Sequence, residues 1–316
     1  MDTLRLLVVV CLLGLPTFAP FTWGADASPD AMDEDAAIAE AMLNPLSYLW
    51  LAFFQNDTSW WDGDILDRLD EGTKVQNTLM VAPVLSIQLT EKWKTIFRPI
   101  LTVNSFETVD NVSVSTNDTP SVTGIDVTRE AGLGDTVLWT AFSNQYTAPY
   151  IWGLGPTVLL PTASHDQLGT GKYSAGPMAL GFYLSEKWVF GGILQHWWSF
   201  AGDDHVEVDT NLGPVKVDRA DVNLTDFQYV IRYRATPTTN IGAGPNIRYN
   251  WESEELFLPV GIGGDILVRL GPLPAKIGAE LHYYVVTDDD FGPKWNLRFF
   301  FVPVLPAPEW SRKPLF

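Results

Sequence analysis

The 316-residue chain is acidic, with 38 Asp and Glu against 20 Lys and Arg and a net charge of −18, which argues against nucleic acid as a partner. Charged residues are only 18% of the total, while 13 Trp and 17 Phe make an aromatic load that suits a surface meeting lipid headgroups. The one cysteine, Cys11, lies close to the N-terminus, so the rest of the chain cannot be stapled by disulfides and loses nothing in an oxidising compartment.

Residues 1–27 read as a secretory signal. Arg5 supplies the positive start, Leu6 to Leu15 the apolar run, and Ala25-Asp26-Ala27 the cleavage site. An apolar run this short cannot span a bilayer, and nothing later is long and apolar enough for a transmembrane helix. An exported chain with no spanning helix is either soluble or a β-barrel. Residues 28–45 are expected to form a periplasmic N-terminal segment with a short helix from Ala36 to Leu43. Leu46 to Gln55 is apolar but alternates poorly, and fits either a first strand or a continued helix.

From Val75 the pattern turns to period two, the mark of half-buried strands. The expected strands are Thr78–Leu89, Trp93–Asn104, Glu130–Phe142, Pro149–Thr162, Tyr173–Leu184, Trp188–Phe200, Val222–Arg234, Asn240–Trp251, Leu256–Arg269, Lys276–Val286 and Trp295–Leu305. Leu46–Gln55 would be the twelfth. Short connections alternate with long, Asp-rich loops such as Asn56–Lys74; Glu107 to Arg129 reads as a long polar loop. That alternation is expected of an up-and-down outer-membrane barrel with short periplasmic turns. A faint repeat supports stacked hairpins: Leu89-Thr90-Glu91-Lys92-Trp93 is nearly Leu184-Ser185-Glu186-Lys187-Trp188, and Gly-x-Gly-Pro recurs at Gly153–Pro156 and Gly242–Pro245. Pro83, Pro99, Pro156, Pro177, Pro245, Pro259 and Pro303 fall inside strands, where each removes a ladder donor, so bulges or unpaired positions are expected near several of them.

The two faces of the strands differ in kind. One carries aliphatics, with aromatics repeatedly at its ends, as a lipid-facing girdle requires and a soluble sandwich core does not. Trp188, Phe190, Leu194, His196, Trp198 and Phe200 belong to this face, and so do Leu133, Val137 and Trp139, which would carry Asp135 outward with them unless a bulge at Gly132 or Gly134 turns it. The other face would line the interior. Its candidate lumen residues are Arg98, Asp226, Arg232, Arg248, Asp265, Arg269, Glu280 and Arg298. They could favour anionic or polar solutes, or could simply neutralise one another.

Other candidates are weaker. Gly169-Thr170-Gly171-Lys172 fails as a phosphate loop, since Asp166 stands where its first glycine belongs and Tyr173 where it needs Ser or Thr. The acidic run Asp203 to Asp209 lacks calcium-loop spacing and reads as a solvated surface loop. His165, His196, His205 and His282 show neither triad nor ligand spacing, so no catalytic group, metal or cofactor is expected.

Several segments resemble a known family. Gly132–Thr136, Trp152–Thr157, Leu168–Pro177, Gln195–Gly202 and Leu258–Gly261 look like the outer-membrane transporters assigned to the MetA pathway of phenol degradation, often labelled neuromedin U in bacteria. The resemblance covers most of Leu46 to Leu305; residues 306–316, a C-terminal tail, match least. It implies a Gram-negative outer-membrane protein and a transport role, and supplies no binding residues. The expectation is therefore an all-β, transmembrane, antiparallel up-and-down barrel of about twelve strands over residues 46–305. Its function would be passage of small solutes, aromatic or anionic; the alternative is a closed structural or surface-interaction barrel. Expected partners are outer-membrane lipid and lipopolysaccharide, a small-molecule solute, and the barrel-assembly machinery during insertion.

Overall fold

The computed structural model describes residues 29–68, 72–115, 121–144, 149–208, 210–211 and 213–316; the expected signal, residues 1–27, lies outside them. Residues 35–316 form one unit, and residues 29–34 begin the helix α1, Pro29–Leu43, that leads into it.

Sixteen strands follow, of which fourteen build one sheet. They are β1 (Trp50–Asp62), β2 (Lys74–Gln88), β3 (Trp93–Ser115), β4 (Ser121–Leu133), β5 (Thr136–Asn144), β6 (Tyr150–Leu160), β7 (Lys172–Leu184), β8 (Trp188–Gly202), β11 (Asn223–Thr236), β12 (Thr239–Ala243), β13 (Asn246–Asn250), β14 (Glu255–Leu270), β15 (Leu273–Val286) and β16 (Gly292–Leu305). The short strands β9 (His205–Val208) and β10 (Val215–Asp218) make a separate hairpin. β4 with β5, and β12 with β13, are each one interrupted stave, because each pair lies end to end along the same neighbour. The result is twelve antiparallel staves, closed where β1 pairs with β16 and where β8 pairs with β11. Closure leaves the cylinder with no free edge strand; β4 lies off its path and pairs with β3 alone.

Three expectations need correction. The segment Leu46–Gln55 divides: residues to Leu49 stay outside the sheet, and the strand begins at Trp50 and runs on to Asp62, into what had read as a loop. The helix begins at Pro29 rather than Ala36, as the Asp and Glu early in the segment favour. Of Glu107 to Arg129, residues 107–115 and 121–129 are no loop but strand, the outer part of the β3–β4 pair. Its polar residues alternate with valines, and polarity masked the strand pattern.

The interruptions follow the glycines and prolines. Pro83 on β2 lies level with Pro99 on β3, in a stretch where pairing lapses between Val81–Leu101 and Leu85–Phe97. Pro156 pairs directly with Pro177, so two missing donors share one place. At Gly176-Pro177 the ladder to β8 also lapses, and there a Cβ on Gly176 would sit 1.8 Å from the carbonyl oxygen of His196. Gly244-Pro245 divides β12 from β13, and the pairing to β14 is missing from Ile241–Gly264 to Arg248–Phe257. Pro259 stands on the other side of that gap, at a register shift against β15. The twin turns match in detail: Thr90 Oγ1 accepts from the Trp93 amide at 3.1 Å, and Ser185 Oγ from the Trp188 amide at 3.0 Å.

Outward side chains are apolar. Leu154, Ile262 and Phe299 are more than half exposed at mid-height. Near the short turns stand Trp93, Trp152, Tyr150, Tyr183, Trp188 and Tyr233; near the long connections stand Trp198, Phe200, Trp251, Tyr283 and Trp295. Many meet in pairs, such as Trp93–Trp152 at 6.3 Å and Tyr283–Trp295 at 4.8 Å between ring centroids. His196 is among them, 3.9 Å from the Trp198 ring with Nδ1 2.7 Å from Thr225 Oγ1.

The apolar core lies inside the barrel, in its short-turn half. Residues 35–49 enter there: Ala39, Met42 and Leu46 are buried with Val84, Ile96, Trp139, Ile151, Met178, Phe182, Val189, Ile193, Leu267 and Phe300, all projecting from the wall. Arg269 Nε bonds Asp35 at 2.5 Å, Arg234 lies 3.9 Å from Glu40, and Lys94 Nζ donates to the Leu46 carbonyl. The helix expected to rest in the periplasm therefore sits, from Asp35 on, within the barrel, because its Ala and Met face completes a core the wall alone leaves open.

Trp139 is buried in that core, where the sequence placed it outward. Between Leu133 and Val137 the pairing with β3 advances by three residues on one side and four on the other. This bulge reverses the facing, so Leu133 stays outward and Trp139 points in. Asp135, at the bulge, accepts from the Thr170 amide at 2.6 Å, the Thr170 hydroxyl at 2.7 Å and the Ala163 amide at 3.3 Å. It ties down the loop of residues 161–171. Replacing Asp135 by Ala is expected to cost about 1–3 kcal/mol of local stability and to open this loop to protease in intact cells; cleavage no faster than in the parent chain counts against the role.

Candidate lumen site

Inward-facing side chains divide the lumen into three levels. Nearest the long connections is a polar chamber of about 320 Å³, lined by Asp57, Asn246, Arg248, His282, Tyr284, Asn296 and Arg298 among others. Nearest the short turns is a mainly apolar cavity of about 170 Å³, lined by Met42, Leu43, Phe53, Trp139, Phe182, Ile193, Phe300 and Arg98 among others. Arg298 lines both. Between them runs a belt of charge.

The belt is built across six staves. Arg298 Nε bonds Asp57 Oδ1 at 2.8 Å, directly across the β1–β16 pair. Asn296 Nδ2 lies 3.1 Å from the same oxygen. Glu280 on β15 accepts from Arg232 on β11, from the Gly244 amide at 3.0 Å and from His282 Nε2 at 2.8 Å. His282 Nδ1 faces Asn296 Nδ2 at 3.1 Å, so the neutral ring with hydrogen on Nε2 satisfies both neighbours. Asp265 accepts from Asn240 at 2.7 Å, and Lys276 and Arg232 stand 3.7 and 3.8 Å from it. Arg248 and Asn246 both reach Asp226, at 2.9 and 2.7 Å.

Part of this network serves the wall itself. The carbonyl of Gly244 accepts from Arg298 at 3.0 Å and from Gln228 at 3.1 Å, and that of Gly242 from Arg232 at 2.7 Å. These are backbone groups in the stretch where β12 and β13 lose their pairing with β14. Unpaired backbone at membrane depth is tolerated only where protein satisfies it, and here interior side chains do so.

Of the eight candidate lumen residues, Arg98, Arg232, Asp265, Glu280 and Arg298 line the lower cavity, and Arg248 and Arg298 the upper chamber. Asp226, Arg232, Arg248, Asp265, Glu280 and Arg298 join the belt or the polar chamber. Arg269 instead holds Asp35 near the short turns. Arg98 meets no carboxylate among the described residues; its guanidinium lies over Phe53 at 4.9 Å and Trp139 at 5.7 Å. Asp57, the partner of Arg298, was missed, because residues 56–74 read as a loop. The alternation Leu51, Phe53, Gln55, Asp57, Ser59 held the signal, but the facing residues Asn56 and Thr58 are too polar to mark an outer face.

The acidic connections carry their own pairs. Lys172 Nζ lies 2.7 Å from Asp204 and holds that carboxyl below its usual range by hydrogen bond and charge. His205 faces Asp218 across the β9–β10 hairpin at 3.0 Å. The run Asp203 to Asp209 thus reads in part as a hairpin strand held by local pairs, and no cluster of ligating side chains forms among the described residues.

A closed antiparallel barrel of twelve staves, apolar and exposed outside, rimmed by aromatics at both ends and crossed within by a belt of charge, is an outer-membrane β-barrel. Its place is the bacterial outer membrane, with the short turns toward the periplasm. Solved structures share the architecture. The chain is similar to the COG4313 outer membrane channel from Pseudomonas putida F1, with TM-score 0.58 and 14% identity over 81% of this chain and 94% of that one. Weaker likenesses are the transport unit of the autotransporter AIDA-I from Escherichia coli (TM-score 0.49, 10% identity, 86% and 96%) and a Pseudomonas aeruginosa FadL homologue (0.46, 8%, 84% and 92%). At such identities the likeness is one of fold. No protein-family model matches the chain, and no curated protein matches it.

Proposed function

We propose that this barrel is an outer-membrane channel for small solutes, closed at rest by its own N-terminal segment. The observation that carries the reading is the pair of cavities that meet at Arg298 inside a closed wall, with residues of the 35–49 segment packed across the lower one. The solved barrel from Pseudomonas putida F1 that shares its fold is itself an outer membrane channel. The resemblance to transporters assigned to phenol degradation agrees with a lower cavity walled by Phe53, Trp139, Phe182 and Phe300. Solutes enter between the acidic loops, pass the Arg298–Asp57 belt and leave when the segment gives way.

The occupied lumen also favours a second reading, a closed barrel whose loops do the work. Planar bilayers separate the two. Refolded mature chain is expected to show brief openings with preference for anions, given the inward arginines. Silence from both the intact chain and one lacking the N-terminal segment, each shown to be folded by its shifted migration on unheated gels, overturns the channel reading. On either reading, export by the residue 1–27 signal and insertion by the barrel-assembly machinery bring the chain to the membrane. The acidic loops then meet lipopolysaccharide through its divalent ions. No catalytic, cofactor or metal role is assigned: His282 has both ring nitrogens engaged in the belt.

A further inference from the structure

One inward arginine stands without a counter-charge. Arg232, Arg248, Arg269 and Arg298 each reach a carboxylate. Among the described residues Arg98 makes neither ion pair nor hydrogen bond, and its Nε is fully buried with no partner. Phe53 and Trp139 cover its faces. Stacking on rings satisfies the faces of a guanidinium, not the donors along its edge. A buried cation without its partner is costly, and an arriving anion removes that cost.

The cavity that Arg98 lines narrows the choice of anion. A planar carboxylate matches the guanidinium fork with two parallel hydrogen bonds. The rest of the wall is largely apolar, with Phe182, Val189, Ile193 and Phe300 facing the same space. A dry cavity of about 150 Å³ accepts benzene, and this one holds about 170 Å³. A dicarboxylate would bring a second charge, yet Arg232, Lys276 and Arg298 on the same wall already face Glu280, Asp265 and Asp57. We propose that the lower cavity binds a small aromatic monocarboxylate, its carboxylate on Arg98 and its ring against Phe182, Ile193 and Phe300. This rests on the lumen being a solute path and names the class of solute that pauses there.

Calorimetric titration of the full mature chain in detergent tests it, with benzoate, benzyl alcohol, phthalate and chloride as probes. Benzoate is expected to bind at least about tenfold more tightly than benzyl alcohol, the value of a charge-assisted pair, and more tightly than phthalate. Arg98→Gln is expected to level benzoate with benzyl alcohol and to leave the thermal midpoint of the empty barrel unchanged or raised, since it removes an unpaired charge. Arg98→Lys, which keeps charge but loses the fork, is expected to fall between. Equal affinity for benzoate and benzyl alcohol in the parent chain overturns the proposal. So does a benzoate preference that survives Arg98→Gln, or displacement of benzoate by equimolar chloride, which would mark an adventitious anion only. Titration needs no conduction: a chain that conducts without benzoate preference overturns this site alone, and one that binds benzoate but stays silent with and without its N-terminal segment overturns the channel alone.

Discussion

Deleting residues 28–45 is expected to turn a mostly closed barrel into a steadily conducting one. Met42 and Leu46 are nearly fully buried in the lumen, and Met42, Leu43, Asn44 and Pro45 line the lower cavity. Burial of an aliphatic side chain of this kind contributes about 1.5–3 kcal/mol. The Arg269–Asp35 pair adds to docking. A net docking energy of about 2–3 kcal/mol keeps the open fraction near 1%, so removal raises the mean conductance roughly 30- to 100-fold. The cut is placed to keep Leu46, whose carbonyl takes the Lys94 ammonium that would otherwise be left buried. A milder form, Arg269→Ala, should lengthen openings without widening them, because the segment remains and only its hold weakens. A folded but silent deletion chain would show that the segment is not what closes the lumen.

The second large effect is expected at Asp57. Its carboxylate takes Arg298 and Asn296, and both charged side chains are mostly covered, at 18% and 10% exposure. Removing one partner of a buried pair costs about 3–5 kcal/mol. Water in the polar chamber screens part of that, so Asp57→Ala should cost about 2–3 kcal/mol. The double change Asp57→Ala with Arg298→Met should recover most of the loss in a denaturant titration in lipid, since it leaves no orphan charge. Ion selectivity should move as well: Asp57→Ala turns the charged belt more cationic and strengthens anion preference. Unchanged stability in the single variant would mean that the pair is too well solvated to matter.

Much of the barrel was legible in the chain, for a plain reason. Period-two alternation survives wherever one face must meet lipid, so Trp188 to Phe200 could be oriented residue by residue from Trp188 alone. The twin turns carried true structural information, a hydroxyl capping the amide of a girdle tryptophan. The signal failed where polarity and alternation parted. In the outer part of the β3–β4 hairpin valines alternate with polar residues but lack the aromatic ends that mark a lipid face, and on β1 the polar Asn56 and Thr58 interrupt the outer face between Phe54 and Trp60. Parity failed at Gly134-Asp135, because a one-residue bulge flips every later side chain, and only the pairing register reveals it. The lumen residues could be listed from parity but not joined. Whether Arg298 meets Asp57 or Glu280 depends on how staves far apart in sequence are aligned. The N-terminal segment was hidden most deeply, since an amphipathic helix looks the same whether it rests in the periplasm or within a barrel.

The partnership of Asp57 and Arg298 has a consequence for biogenesis. These residues sit on the first and last staves and face each other across the seam that closes the cylinder. Their contact is separated by 241 positions in sequence, so it belongs to the slowest class of pairing to form. Until the seam zips, both charges and the belt around them lie open to water. Zipping is thus the step that commits them to the interior, and it acts as a proofreading event. A chain whose staves have slipped by one residue would present Asp57 to a wrong face and leave Arg298 bare, and such a cylinder should fail to shut.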